Sequence, residues 1–238
     1  MKTYRTTATV VGILYILGTV AGVVSVVVTA GLLDASDVLA TVDAHAGRAK
    51  AGALLILVMG AALAMVPALM FPVLKRQNEA LAVGYVIFRG ALETFTYLGM
   101  ALCWLLLVAD ARQQAGAGTA ASAPLPGIGT LLVKAMDPLT AIQDIVFSLG
   151  ALMFSVLLFR SRRVPRWLSG WGIAAAVPYL TAGVIAVFST QLVVLLMPLA
   201  VQEMVMAVWL IVKGFDPGVG ALRAGTDERP QRVASEQP

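Results

Sequence analysis

Long apolar runs separated by short polar gaps organise this chain. Residues 8–33 carry no charge and follow Lys2 and Arg5, and further apolar runs lie at about 51–74, 81–109, 138–159, 167–188 and 192–212. Crossing the hydrocarbon of a bilayer takes about 20 consecutive apolar residues, so each run is long enough to span. The first run exceeds the roughly 7 to 15 residues of a signal-peptide core, which predicts a retained helix. Ser189-Thr190-Gln191 alone separates the last two runs, and the links at 76–80 and 161–166 are as brief. Links that short make spans two and three, and spans four and five, antiparallel neighbours.

Punctuation refines the picture. Asp137 before Pro138 reads as the start of the fourth helix, because Asp caps free N–H groups and Pro is tolerated at the first helical position. Pro67, Pro72, Pro178 and Pro198 fall within or near spans and predict kinks. Gly18 and Gly22 form a small-xxx-small pair, read first as close packing inside the bundle and second as a dimer contact. Residues 113–129, rich in Ala, Gly, Ser and Pro, read as a flexible outer loop.

Composition turns six runs into a membrane protein. Hydrophobic residues make up 59% of the 238 and charged residues 13%, with mean hydropathy +0.88, against about 25% charged in soluble domains. A single soluble core cannot hide that much apolar surface. The expected fold is an all-α, polytopic integral membrane bundle of six transmembrane helices over 1–215, followed by a disordered tail at 216–238. The partner this implies is the lipid bilayer. The net charge of +4 does not point to nucleic acid, since the basic residues stand at the edges of apolar runs and not on an aromatic-studded face.

Basic residues also orient the bundle. With the N-terminus inside, twelve lie on the cytoplasmic side (Lys2, Arg5, Lys75, Arg76, Arg160, Arg162, Arg163, Arg166, Lys213, Arg223, Arg229, Arg232) and four outside (Arg48, Lys50, Arg112, Lys134). The positive-inside rule then predicts a multi-pass protein of the cell membrane with both termini cytoplasmic.

Within the spans four ionisable residues stand out: Arg89 and Glu93 on span three, Asp144 on span four and Glu203 on span six. Each costs about 2.5 to 3.5 kcal/mol at mid-membrane, so such residues face the bundle interior and find partners. At ~1.5 Å per residue, Glu93 lies about 18 Å in from one end and Glu203 about 17 Å in from the other, both near mid-membrane. Asp144 lies closer to the outer surface. Tyr85, Arg89, Glu93 and Tyr97 recur every four residues and put a polar stripe on one helix face. Thr94, Thr96, Gln143 and Gln202 are positioned to join it. Arg preceding Glu by four is the weaker order for an intrahelical pair, which points Arg89 toward Glu203 or Asp144 instead. Fully ionised, these groups would leave one positive and three negative charges. Either some carboxylates hold protons or a cation occupies the site.

Two readings follow. The cluster binds a small molecule, proton or ion in a small carrier, or it only holds together a structural, sensory or assembly protein. An intramembrane enzyme using carboxylates is a third class, without a motif to support it. His45 with Asp34, Asp37 and Asp43 reads as a solvated loop and not as a metal site. Cys103 lies inside an apolar run and rules out an intrachain disulfide. No motif names a cofactor, a catalytic residue or a metal.

The segment from Phe71 to Glu79, continuing through Gly84-Tyr85 to Arg89 and Glu93, resembles the bacterial membrane family of the domain of unknown function DUF4386. So do Gln143-Asp144, Val164-Pro-Arg-Trp-Leu168, and the stretch from Leu199 through Glu203 to Trp209 and Phe215, a resemblance covering roughly 8–215. It implies a compact multi-helix membrane protein and no activity. Many members carry His before the span-four Asp, where this chain has Gln143, so the resemblance supplies no imidazole beside Asp144.

Overall fold

The computed structural model describes residues 2–117 and 127–215. Within them six helices are long and apolar enough to cross a membrane, and no strand is present. Helix α1 covers Lys2–Thr29, a short α2 covers Val38–Ala44, and α3 covers Ala46–Leu74. The third span is one rod built from α4 (Glu79–Tyr85), a π-helical stretch (Val86–Leu92) and α5 (Glu93–Ala117). Helix α6 covers Ile128–Ser161, α7 covers Arg166–Phe188 and α8 covers Met197–Val212, with a 3-10 turn at Val193–Leu195 before it.

Local chemistry sets the ends. Arg48 donates to the carbonyls of Val28 and Ala30 at 2.9 and 3.0 Å and Gly31 turns left-handed, so the first span stops at Thr29 and not at residue 33. Asn78 accepts from the Leu81 N–H at 2.9 Å and starts α4, an N-cap of the usual kind. The fourth helix does not start at Asp137-Pro138. It begins at Ile128, after Gly127 at φ 107, and Pro138 lies inside it. Residues 128–136 contain enough good helix formers to carry the helix outward, and Pro138 removes one hydrogen bond without ending it. The expected loop at 113–129 is correspondingly shorter, since α5 runs to Ala117. Its middle, 118–126, lies outside the described residues, as does the tail expected at 216–238.

The helices close into a ring. Helix α1 packs on α3, α3 on α5, the third-span rod on α6, α6 on α7, α7 on α8, and α8 back on α1. The short links therefore join neighbours, as their lengths require. Small residues line the seams. A Cβ at Gly12 would stand 2.6 Å from the Ala207 carbonyl, so glycine is what lets α1 approach α8. Cβ atoms at Gly18 and Gly22 would meet Leu63 and Met59, which places this pair against α3 of the same chain.

Each helix shows two faces. On α1, Val10, Ile13, Leu17, Val20, Val24 and Val27 are exposed, while Ala8, Val11, Tyr15, Ala21 and Ser25 are buried. With Gly18, also buried, spacings of three and four in both sets place them on opposite helix faces. An outward apolar face of this kind suits lipid as solvent, where every backbone group is satisfied within its own helix.

Candidate functional site

Arg89 sits at the centre of the ring with 1% of its surface exposed. It belongs to the π-helical stretch, whose wider turn is marked by the Glu93 N–H bonding to Phe88 O. Such bulges in α-helices frequently coincide with functional sites. Gly150 of α6 makes room for the stretch, since a Cβ there would lie 3.2 Å from Arg89 Cβ.

The guanidinium forks between two carboxylates. Nη1 donates to Glu93 Oε1 at 3.0 Å and Nη2 to Glu203 Oε1 at 2.9 Å. Arg89 thus makes the intrahelical pair as well as the interhelical one. The expectation that it would bridge to another helix instead is corrected: a planar fork with several donors serves both acids at once. Helix α8, which carries Glu203, packs chiefly on α1 and α7, so the arginine side chain spans the ring interior to reach it.

Aromatic side chains complete the cage. The Tyr97 hydroxyl donates to Glu93 Oε1 at 2.6 Å. Arg89 Cζ lies 4.2 Å from the Phe147 ring centroid and 5.7 Å from that of Tyr15, distances at which a cation is attracted to the ring face. Tyr15 and Tyr85 approach each other through their hydroxyls at 3.4 Å, and Tyr85 stacks on Phe154. Glu93 is fully buried, and its Oε2 has no hydrogen-bond partner among the described residues. Glu203 keeps 16% of its side chain accessible, which makes it the reachable member of the trio.

Asp144 is not part of this trio. The Tyr179 hydroxyl donates to its Oδ1 at 3.2 Å, and Gln191 Nε2 donates to its Oδ2. The Phe147 ring contacts both Arg89 and Tyr179, the latter at 4.8 Å between ring centroids. Gln191 also lines a cavity of about 570 Å³ with Asp137, Thr140 and Ser189, at the end of the bundle where α7 gives way to the 3-10 turn. Irregular backbone at this level is tolerated where it borders a polar space.

Other expected members lie elsewhere. Gln202 is buried but donates to the Leu168 carbonyl of α7 at 3.1 Å. Thr94 and Thr96 donate to the carbonyls of Gly90 and Glu93 on their own helix. Gln143 is only half-buried, beside Asp144 in the chain. His45 Nδ1 contacts the Thr41 carbonyl and Asp37 caps α2 through the Ala40 N–H. Among the described residues no group of His, Cys, Asp and Glu has the makings of a metal site. Tyr15, Phe147, Tyr179 and Gln191 were not singled out by sequence. Their signal is weak, because an aromatic residue in an apolar run looks alike whether it faces lipid or a guanidinium.

Fold and site together define a multi-pass α-helical membrane protein with a charged cluster inside its ring. Residues 10–214 match the family model described as Domain of unknown function (DUF4386), and the chain belongs to that family. Neither the curated proteins nor the solved structures contain a match.

Proposed function

We propose that the Arg89–Glu93–Glu203 cluster is a proton- or cation-linked binding site, and that the protein is a small carrier or binding protein of the cell membrane. The observation that carries this reading is Glu93 Oε2, a buried carboxylate oxygen without a partner among the described residues, in a cluster where two acids share one guanidinium. Two acids and one cation leave one negative charge in a medium that penalises it heavily. One proton or one monovalent cation restores neutrality, and Glu203 is the route by which it would exchange. The cavity at Gln191, whose amide donates to Asp144, is the approach from the opposite direction in this reading. Residues 1–215 serve as the membrane domain in this reading and 216–238 as a cytoplasmic tail, both termini being cytoplasmic on the strength of the basic asymmetry.

The architectural alternative is favoured by one observation: the Arg89–Glu203 pair ties α8 to the third span across the ring. Two measurements on the reconstituted full chain separate the readings. Infrared absorption is recorded in choline buffer for the wild type and for Glu93→Gln and Glu203→Gln. The unfolding midpoint is followed as Li⁺, Na⁺ or K⁺ is added. A carboxylic-acid band lost in one of the variants supports the proton form. A cation-dependent rise in midpoint, worth about 2.7 kcal/mol at a hundred times Kd and absent in Glu93→Gln, supports the cation form. Neither result in the wild type would leave the cluster purely architectural.

A further inference from the structure

At the end of the bundle opposite the Gln191 cavity, a second cavity of about 530 Å³ opens where α6 ends, α7 begins and α8 ends. Arg162, Arg163, Arg166 and Lys213 line it, and no carboxylate is among the described lining residues. The charges of Arg162, Arg166 and Lys213 around one concavity repel each other, and a bound anion relieves that repulsion.

Four further features give the cavity its ligand chemistry. Arg162 holds a left-handed backbone at φ 53, where the C-terminus of α6 would accept Gly without strain; a guanidinium is kept here at a steric cost. Helix α7 starts beside the cavity after Pro165, with no side-chain cap on its first N–H groups, so backbone donors add to the cations. Trp209 lines the cavity and packs edge-on against Trp167, which is 56% exposed. Tryptophans with such exposure settle at the membrane–water interface, at headgroup level. Arg166 lays its guanidinium 5.1 Å from the Phe159 ring and keeps an exposed position at the same level.

We propose that this cavity binds the phosphate of an anion, supplied by the headgroup of a net-anionic phospholipid at the bilayer edge. Basic pockets between transmembrane helices on the positively charged side suit such headgroups. This site is separate from the buried cluster and does not depend on any activity assigned to it.

The test uses the detergent-solubilised full chain and its thermal unfolding midpoint, titrated separately with short-chain phosphatidylglycerol, with phosphatidylcholine of equal chain length and with inorganic phosphate. Phosphatidylglycerol is expected to raise the midpoint saturably and phosphatidylcholine to have little effect. Replacing Arg166 and Lys213 together with Gln should weaken the apparent affinity roughly 25-fold, at about five-fold per cation removed. Arg166→Lys, which keeps the charge, should stay close to wild type. Arg162→Gly guards against misfolding as an explanation: it relieves the left-handed backbone, so the lipid-free midpoint should hold or rise while affinity falls about five-fold. Lys134→Gln, in the opposite half of the membrane, should change nothing. Saturable stabilisation by inorganic phosphate alone, lost in the same variants, would uphold the phosphate site and overturn the lipid as its source. Equal effects of the two lipids, or a phosphatidylglycerol effect untouched in Arg162→Gly and in the double variant, would overturn the proposal.

Discussion

Arg89 pairs with two carboxylates while buried itself, so every member of the trio depends on the others. Replacing Arg89 with Leu leaves Glu93 and Glu203 facing each other without a cation. The expected loss is about 3–5 kcal/mol of unfolding free energy, the usual cost of stranding a buried partner, read from chemical denaturation in detergent. Arg89→Lys should rescue little, because a point charge on a flexible stem cannot fork to both acids. Tyr97→Phe removes the 2.6 Å donor to Glu93 and should cost roughly 1.5–3 kcal/mol, in the range for hydrogen bonds to charged groups. At this scale the sequence was informative wherever charge met depth. Counting residues from each end set Glu93 and Glu203 at similar depth, with Arg89 one turn from Glu93. Gln202 was misleading because a buried amide has many acceptors to choose from, and here it donates to the Leu168 carbonyl. Asp144 takes Tyr179 and Gln191 as its partners instead, and neither was marked out in its apolar or polar surroundings.

Helices in this chain are positioned by where they lack side chains as much as by where they have them. Gly12 brings α1 within backbone reach of α8, and a Cβ there would press on the Ala207 carbonyl at 2.6 Å. Gly12→Ala should therefore destabilise the bundle by about 1–3 kcal/mol, the range for overpacking. Gly47, with nothing within 4 Å of the same position, should accept Ala with a change near zero, and the two variants compared in one denaturation series check the seam. Element ends were harder to read. Residues 128–136 continue α6 beyond Pro138 because a proline costs one hydrogen bond, not a helix, once good helix formers precede it. The π-helical stretch left no mark in the sequence: its residues are ordinary, and the wider turn coincides with the close approach to Gly150 and with the ion pairs of Arg89.

For the whole molecule, hydropathy and basic asymmetry made the span number and the membrane setting readable, because lipid imposes its length requirement on every helix alike. Ring order beyond the short links was not readable, since which apolar faces meet is decided by shape and small residues. Reporter fusions near Asp37 and Gly116 should give the outer signal and a fusion at the C-terminus the inner one; an outer signal at the C-terminus would invert the topology proposed here. The ring and its cluster meet in one claim: α8 and the third span act as a unit because Arg89 holds an acid from each. A double-mutant cycle on Glu93→Gln and Glu203→Gln, measured as global unfolding free energy, tests that claim most directly. The predicted result is a double-variant cost that differs from the sum of the singles by 1 kcal/mol or more, within the roughly 0.5–3 kcal/mol seen for residues sharing a network. Additivity within about 0.3–0.5 kcal/mol, the behaviour of independent sites, would contradict it.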